Sequence, residues 1–139
     1  MPKKLICAAY LLARDRNGRI LLVRKSEKAK VFPSKWNFVG GKFEEFDENL
    51  EKTLEREVWE ELKCKVEISK LVDAYYYDGK EGGYEGLILL YEGEIRGNIS
   101  PSPEISEVRF FSAEEIREMG KNEFTPWTYG LLKKILKLT

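Results

Sequence analysis

GGKFEEFDENLEKTLEREVWEELKCKV, residues 40 to 66, decides how the rest of the chain is read. It opens on a glycine pair, where the backbone turns sharply or lets a ligand come close. From Glu48 to Leu62 the pattern predicts a helix with Asp47 as its N-cap. Leu50, Leu54, Val58 and Leu62 recur every fourth residue and form an apolar stripe. At about 100° per residue, Glu57, Glu60 and Glu61 fall within an arc of roughly 100° beside that stripe. Like charges on one helical face repel by a few tenths of a kcal/mol per pair. A solvated helix bears that cost easily; otherwise something positive sits between the carboxylates. Glutamates spaced i, i+3 and i+4 can converge on one or two hard cations. Mg²⁺ and Mn²⁺ take oxygen ligands and keep positions for water and phosphate oxygens. Beside a glycine turn such a site suits phosphate chemistry, which needs positioning and electrostatics rather than a protein nucleophile.

Toward the N-terminus, LICAAYLLA (5–13) reads as a buried strand. DRNG (15–18) supplies an Asn-Gly hairpin signal, and RILLVRK (19–25) is expected to return as the partner strand. A polar loop leads to WNFVGG (36–41), a short strand ending in the glycines. Toward the C-terminus, VEISKLVDAYYYD and YEGLILLYEGEI read as two long strands joined by the glycine-rich DGKEGG. EVRFFS is a further strand, and SAEEIREMG a short helix with Ser112 as cap and Glu115 in the capping-box position. TPWTYGLLKKILKL closes as an amphipathic helix with Pro126 in its first turn. Strands and helices mix without strict alternation, which predicts an α+β fold with a mixed β-sheet flanked by helices.

The 139 residues make one domain, 1–139, large enough for a hydrophobic core. Lys plus Arg and Asp plus Glu both total 24, so no net field recruits nucleic acid or an anionic membrane. Histidine is absent, so any general base is a carboxylate, Lys, Tyr, Cys or metal-bound hydroxide. Cys7 and Cys64 sit in apolar runs and read as buried thiols of a reducing compartment. The N-terminal segment, two lysines and a short apolar run leading into a turn, does not read as a signal peptide. No run reaches the ~18 apolar residues that span a bilayer. The expectation is a cytoplasmic protein, monomer or homodimer, with a small-molecule partner and no stable nucleic-acid partner.

From Gly41 to Cys64 the chain resembles the Nudix hydrolase signature, Gly-x5-Glu-x7-Arg-Glu-U-x-Glu-Glu-x-Gly-U, with U bulky and aliphatic. Glu48, seven residues, then Arg56, Glu57, Val58, Trp59, Glu60 and Glu61 match in order and spacing. Six residues separate Gly41 from Glu48, which reads as a one-residue insertion in KFEEFD. Lys63 stands at the late glycine and Cys64 at the closing aliphatic position. W-x-F-x-G-G, EVRFFSAEEI and the FTPWT…LL run resemble other parts of the family, so the likeness covers nearly the whole chain.

The resemblance implies a Nudix-like α/β/α sandwich and metal-dependent hydrolysis of a pyrophosphate bond in a nucleoside diphosphate linked to another moiety. The cofactor implied is Mg²⁺ or Mn²⁺. Glu57, Glu60 and Glu61 would be metal ligands, Gly40 or Gly41 would lend a backbone carbonyl, and Arg56 would orient a glutamate. Glu48, about 12 Å from Arg56 along a helix, meets it only if the chain folds back, and reads as structural. Glu104, Glu107 and Glu44 are candidates for a further metal-site carboxylate or base. Phe32, Trp36, Tyr75, Tyr77, Tyr84 and Trp127 could stack a base, although large aromatics dominate cores. Tyr75 and Tyr77 share a strand face opposite Tyr76. The proline of ADP-ribose-cleaving members is missing from DGKEGG. The tyrosine of dinucleoside-polyphosphate members is matched only by the late Tyr84, and no coenzyme A motif stands before the signature. By elimination the expected substrate is a nucleoside triphosphate or modified nucleotide. The alternatives are ADP-ribose or ADP-sugar hydrolysis, dinucleoside polyphosphate hydrolysis, or a non-catalytic nucleotide sensor.

Overall fold

The computed structural model describes residues 4–138. Met1 to Lys3, part of the segment weighed as a leader, lie outside the described residues. The strands are β1 (Lys4–Leu12), β2 (Ile20–Lys25), β3 (Trp36–Asn37), β4 (Val39–Lys42), β5 (Lys65–Tyr77), β6 (Tyr84–Arg96) and β7 (Ile105–Phe111). The helices are α1 (Leu50–Leu62), α2 (Ala113–Glu118) and α3 (Pro126–Ile135), with a 3₁₀ turn at Lys121–Glu123.

A four-stranded mixed sheet runs β4-β1-β6-β5, with β1 parallel to β6 and the outer pairs antiparallel. A three-stranded antiparallel sheet runs β3-β2-β7. Alternation along β1 explains the layers. Ala8, Tyr10 and Leu12 enter one core with Leu131 and Leu132 of α3. Ala9 and Leu11 enter another with Leu54, Val58 and Leu62 of α1. The mixed sheet is thus sandwiched between helices, as the sequence predicts. Each fully buried Leu or Val of α1 contributes roughly 1.5–3 kcal/mol.

The hairpin expectation is half right. The turn forms, with Gly18 donating to the Asp15 carbonyl at 3.0 Å. Yet β1 and β2 part into different sheets, joined only by the Arg14–Ile20 bridge. Both strands are buried on both faces, so each needs partners that a two-strand ribbon cannot supply. WNFVGG is likewise split between sheets, β3 in one and β4 in the other. Cys64 is buried as expected, while Cys7 is only half-buried.

Helix α1 starts later than expected. Asn49, not Asp47, is the N-cap, its side chain accepting from the Lys52 N–H at 2.9 Å. At the other end Lys63 takes the left-handed cap conformation, φ 58°, and donates its N–H to the Trp59 carbonyl. That conformation favours glycine and disfavours a residue with a Cβ. Lys63→Gly is therefore expected to stabilise the fold by up to about 1 kcal/mol, after the loss of its contact over the Trp59 ring. Thermal unfolding with an unchanged or lower midpoint would overturn this. Helix α2 carries the predicted capping box, with Ser112 and Glu115 bonded reciprocally at 3.1 and 2.9 Å.

Candidate functional site

Successive turns of α1 bring Glu57 and Glu61 to one side, against the glycine pair of β4. Glycine is required at both positions. At Gly40, φ is +146° and an added Cβ would lie 2.2 Å from the Ala9 carbonyl oxygen; at Gly41 it would lie 2.5 Å from the Glu57 carboxyl carbon. Backbone and carboxylate therefore touch with nothing between them. The Gly40 N–H donates to Glu61 Oε2 at 3.2 Å.

Glu61 is only 8 % exposed. Burial, and then the charge of Glu57, push its carboxyl well above the ordinary range. Burial also raises Glu57; Arg56 opposes that rise and Glu60 adds to it. A buried, mutually repelling carboxylate pair beside an N–H donor is costly unless it is protonated or meets a cation. The donors are all hard oxygens, which fits Mg²⁺ or Mn²⁺. Glu60 does not join the pair. It is half exposed, and its carboxylate rests on Arg56 Nη1 at 3.2 Å. Accordingly, no three carboxylate or thiol side chains converge as a ready metal cluster among the described residues.

Arg56 is the hub beneath the pair. Its Nε and Nη2 grip Asp47 at 2.9 and 2.8 Å, Nη1 reaches Glu57 at 2.9 Å, and Nη2 also donates to the Lys42 carbonyl at 3.1 Å. Asp47 in turn accepts from the Thr53 hydroxyl and the Glu44 N–H, both at 2.9 Å. The acid that meets Arg56 is thus Asp47, while Glu48 is exposed. Asp47 follows Gly41 at the five-residue spacing of the signature. The extra residue therefore lies after the acid, next to the helix cap, and not in KFEEFD.

The hydrogen bond from Arg56 holds the Asp47 carboxyl far below the usual range. The two shifts act in opposite directions on stability. Above the ordinary Glu range the folded state holds more protons on Glu57 and Glu61 than the unfolded chain, so stability falls as pH rises. Asp47 stabilises above its unfolded value, and that contribution is lost as pH falls through its folded value. With chelator present, the unfolding midpoint is expected to peak near about pH 5, decline toward pH 8 and collapse below about pH 4. A midpoint that rises steadily from pH 5 to 8 would contradict the raised carboxyls.

A cleft of about 670 Å³ opens over the pair, lined by Glu57, Glu61, Glu104, Tyr10, Asn37, Lys25 at the end of β2 and the loop lysines Lys28 and Lys30. Of the three candidates for an extra carboxylate, Glu104 alone lies here. Glu107 sits opposite Arg24 on the other sheet and faces a separate cleft, because its strand pairs with β2. The Glu44 carboxylate lies outside the cleft, 3.7 Å from Lys42 Nζ, while its backbone N–H donates to Asp47.

A second cavity, about 260 Å³ and mostly apolar, is lined by Phe32, Tyr77, Tyr84, Trp127, Ile6 and Ile88 among others. Trp127 meets Phe32 and Tyr77 edge-on at 5.4 and 5.5 Å. Trp36 and Tyr75 are not in it. Trp36 is buried edge-on against Phe111 at 4.8 Å, and the Tyr75 ring packs on Gly130 of α3. Both serve the core. Tyr76 is exposed on the opposite face, as the alternation predicts.

Sequence reasoning does not single out Tyr10, Asn37, Lys25, Lys28 or Lys30, and it gives Asp47 a capping role in place of its bond to Arg56. Asn37 carried a signal, a lone amide between Trp36 and Phe38 in an apolar strand. Tyr10 carried none within LICAAYLLA.

The NUDIX domain profile matches residues 4–133. The nucleoside triphosphatase NudI of Enterobacter sp. is 26% identical over 131 residues, covering 85% of this chain and 92% of that protein. A MutT-like protein of Streptomyces ambofaciens is 27% identical over 119 residues, 84% of this chain and 70% of its own length. Among solved structures, the MutT protein of Methanosarcina mazei Go1 superposes with TM-score 0.85 at 25% identity, covering 99% of this chain and 96% of that one.

Proposed function

The chain belongs to the Nudix hydrolase family, and on that premise we propose that it hydrolyses a pyrophosphate bond of a nucleoside triphosphate or modified nucleotide. The observation that carries this reading is the buried Glu57–Glu61 pair, packed on glycine backbone and facing a lysine-edged cleft. Glu57 and Glu61 would hold a divalent cation, with Gly40 beside them and Arg56 fixing Glu57. Such a cation would neutralise charge on the phosphate oxygens and make a water a stronger nucleophile at neutral pH. Lys25, Lys28 and Lys30, which line the same cleft, would meet the phosphate chain. Glu104, which lines the same cleft as Glu61, would accept the proton of the attacking water. As water adds to phosphorus the P–O–P bridge breaks, and a nucleoside monophosphate and pyrophosphate leave.

The aromatic cavity would take the base against Trp127, Tyr77, Phe32 and Tyr84. Similarity to a protein named nucleoside triphosphatase supports the triphosphate class. The test is turnover of a panel of triphosphates, ADP-ribose and dinucleoside polyphosphates with Mg²⁺ or Mn²⁺, with product identification. Monophosphate and pyrophosphate from triphosphates are expected. Cleavage confined to ADP-ribose or dinucleoside polyphosphates would overturn the substrate class, and nucleotide binding without turnover would favour a sensor.

A further inference from the structure

The stretch 26–35, between β2 and β3, walls two cavities at once. Lys28 and Lys30 line the carboxylate cleft, and Val31 and Phe32 line the aromatic cavity. The chain thus changes sides within one residue. Phe32 and Ser34 hold left-handed backbone there, φ 51° and 61°, which a Cβ disfavours. Such conformations persist only where the surroundings fix them. Hydrogen bonds fix both ends of the stretch. The Ala29 N–H donates to the Ser26 carbonyl at 3.1 Å, and the Lys25 N–H donates to the Lys35 carbonyl at 2.9 Å. Arg24 Nε donates to the Ser34 carbonyl at 3.1 Å. Between those ties the Val31 carbonyl accepts from the ammonium of Lys25.

Lys25 leaves the end of β2 half-buried in the carboxylate cleft, where the charges of Glu61 and Glu104 act on its own. An ammonium has three donors, and Val31 takes one of them. One side chain therefore reaches from the carboxylate cleft to the backbone joined to Phe32. The Phe32 ring stands edge-on to Trp127 at 5.4 Å and to Tyr77 at 6.4 Å. On the facing loop, a Cβ added to Gly82 would lie 3.3 Å from both Phe32 and Val31. With so little slack, a shift of the Val31 carbonyl moves the ring against its neighbours.

Resting on the hydrolase reading above, we propose that Lys25 is a positioning residue for the aromatic cavity. By holding the Val31 carbonyl from the cleft side it sets the Phe32 ring against Trp127. The lysine that meets the phosphate chain thereby also fixes a wall that meets the base. A lysine that served phosphate alone would matter only to ligands that carry phosphate. One that sets the wall matters equally to a nucleoside, which carries none.

Lys25→Met keeps an unbranched side chain and drops the bond to Val31; Lys25→Ala serves if the Met variant does not fold. In the free protein, the indole N–H resonance of Trp127, identified by its loss in Trp127→Phe, is expected to move toward its position in Phe32→Ala. Lys28→Met, a cleft lysine from the same loop, is expected to leave that resonance in place. The second readout is inhibition by the nucleoside of whichever triphosphate is turned over fastest. Its Ki is expected to rise about fivefold or more in Lys25→Met, the loss of one charge-assisted hydrogen bond. It should stay within about twofold in Lys28→Met, and Lys25→Met should add less than about twofold in a Phe32→Ala background. Inhibition by inorganic tripolyphosphate should weaken in both lysine variants. An unmoved Trp127 resonance, an unchanged nucleoside Ki, or an undiminished effect in the Phe32→Ala background would each overturn the assignment while leaving hydrolysis standing. If no nucleotide is turned over, the hydrolase reading falls instead. In that case, or if no nucleoside inhibits, the Trp127 resonance alone decides, its movement supporting the assignment and its constancy overturning it.

Discussion

Glu57→Gln is expected to cut turnover a hundredfold to a thousandfold or more, a loss of the size seen when one electrostatic partner of a transition state is removed. Gln keeps the shape and can still accept from Arg56, so the lost element is the charge. Glu61→Gln should match it, since its carboxyl sits in the same buried pair and Gln can still accept from the Gly40 N–H. Glu60→Gln should cost much less, because that carboxylate lies on Arg56 and solvent. The stability readout runs the other way. With chelator at neutral pH, Glu61→Gln should unfold later than wild type, because a buried charge without a partner is gone. Wild-type turnover on a validated substrate in both the Glu57 and Glu61 variants would remove the pair from the chemistry. A fall in both activity and chelated stability would point to general damage.

Arg56→Ala is expected to lower stability by about 3 kcal/mol or more, and the unfolding midpoint by about 10 °C. The reason is what it leaves behind. The Asp47 side chain is 4% exposed and takes both of its Arg56 bonds in parallel, so truncation strands a buried carboxylate. The same change frees the chain at Lys42 and removes the cation over Phe46. Asp47→Asn in the Arg56→Ala background should recover part of the loss, because the stranded charge is neutralised. A midpoint within about 2 °C of wild type for Arg56→Ala would show that this hub is ornamental to the fold. Turnover should fall as well, since Glu57 loses its anchor. The Asn rescue should restore stability without restoring rate, which separates support of the fold from support of the site.

The helix stripe, the capping box of α2 and the strands were legible because each is written in local periodicity or cap chemistry. The carboxylate helix was legible too, its spacing placing Glu57, Glu60 and Glu61 within one arc, but not that Glu60 would turn to Arg56 and away from the other two. Pairing was not legible. The Asn-Gly turn at 17–18 announces a reversal of direction, and nothing within a few residues says that the strands it joins will enter different sheets. Asp47 was misread for a similar reason. An acid before a helix suits an N-cap, and only the folded loop shows that Asn49 takes the cap while Asp47 turns back to Arg56. Among the aromatics the sequence could not separate Trp36 and Tyr75, which fill the core, from Tyr77, Tyr84 and Trp127, which line a cavity. Ring chemistry is the same in both settings, and register with distant strands decides between them.

The parting of β1 and β2 also governs when the molecule can take shape during synthesis. β1 lies between β4 and β6, and β2 waits for β7. On a ribosome, therefore, the first two strands emerge as apolar segments whose partners are still untranslated. The mixed sheet cannot close until Arg96 has left the exit tunnel, and the three-stranded sheet not until Phe111 has. Nascent chains arrested before β6 should be protease-sensitive and chaperone-bound, and protection should arrive late.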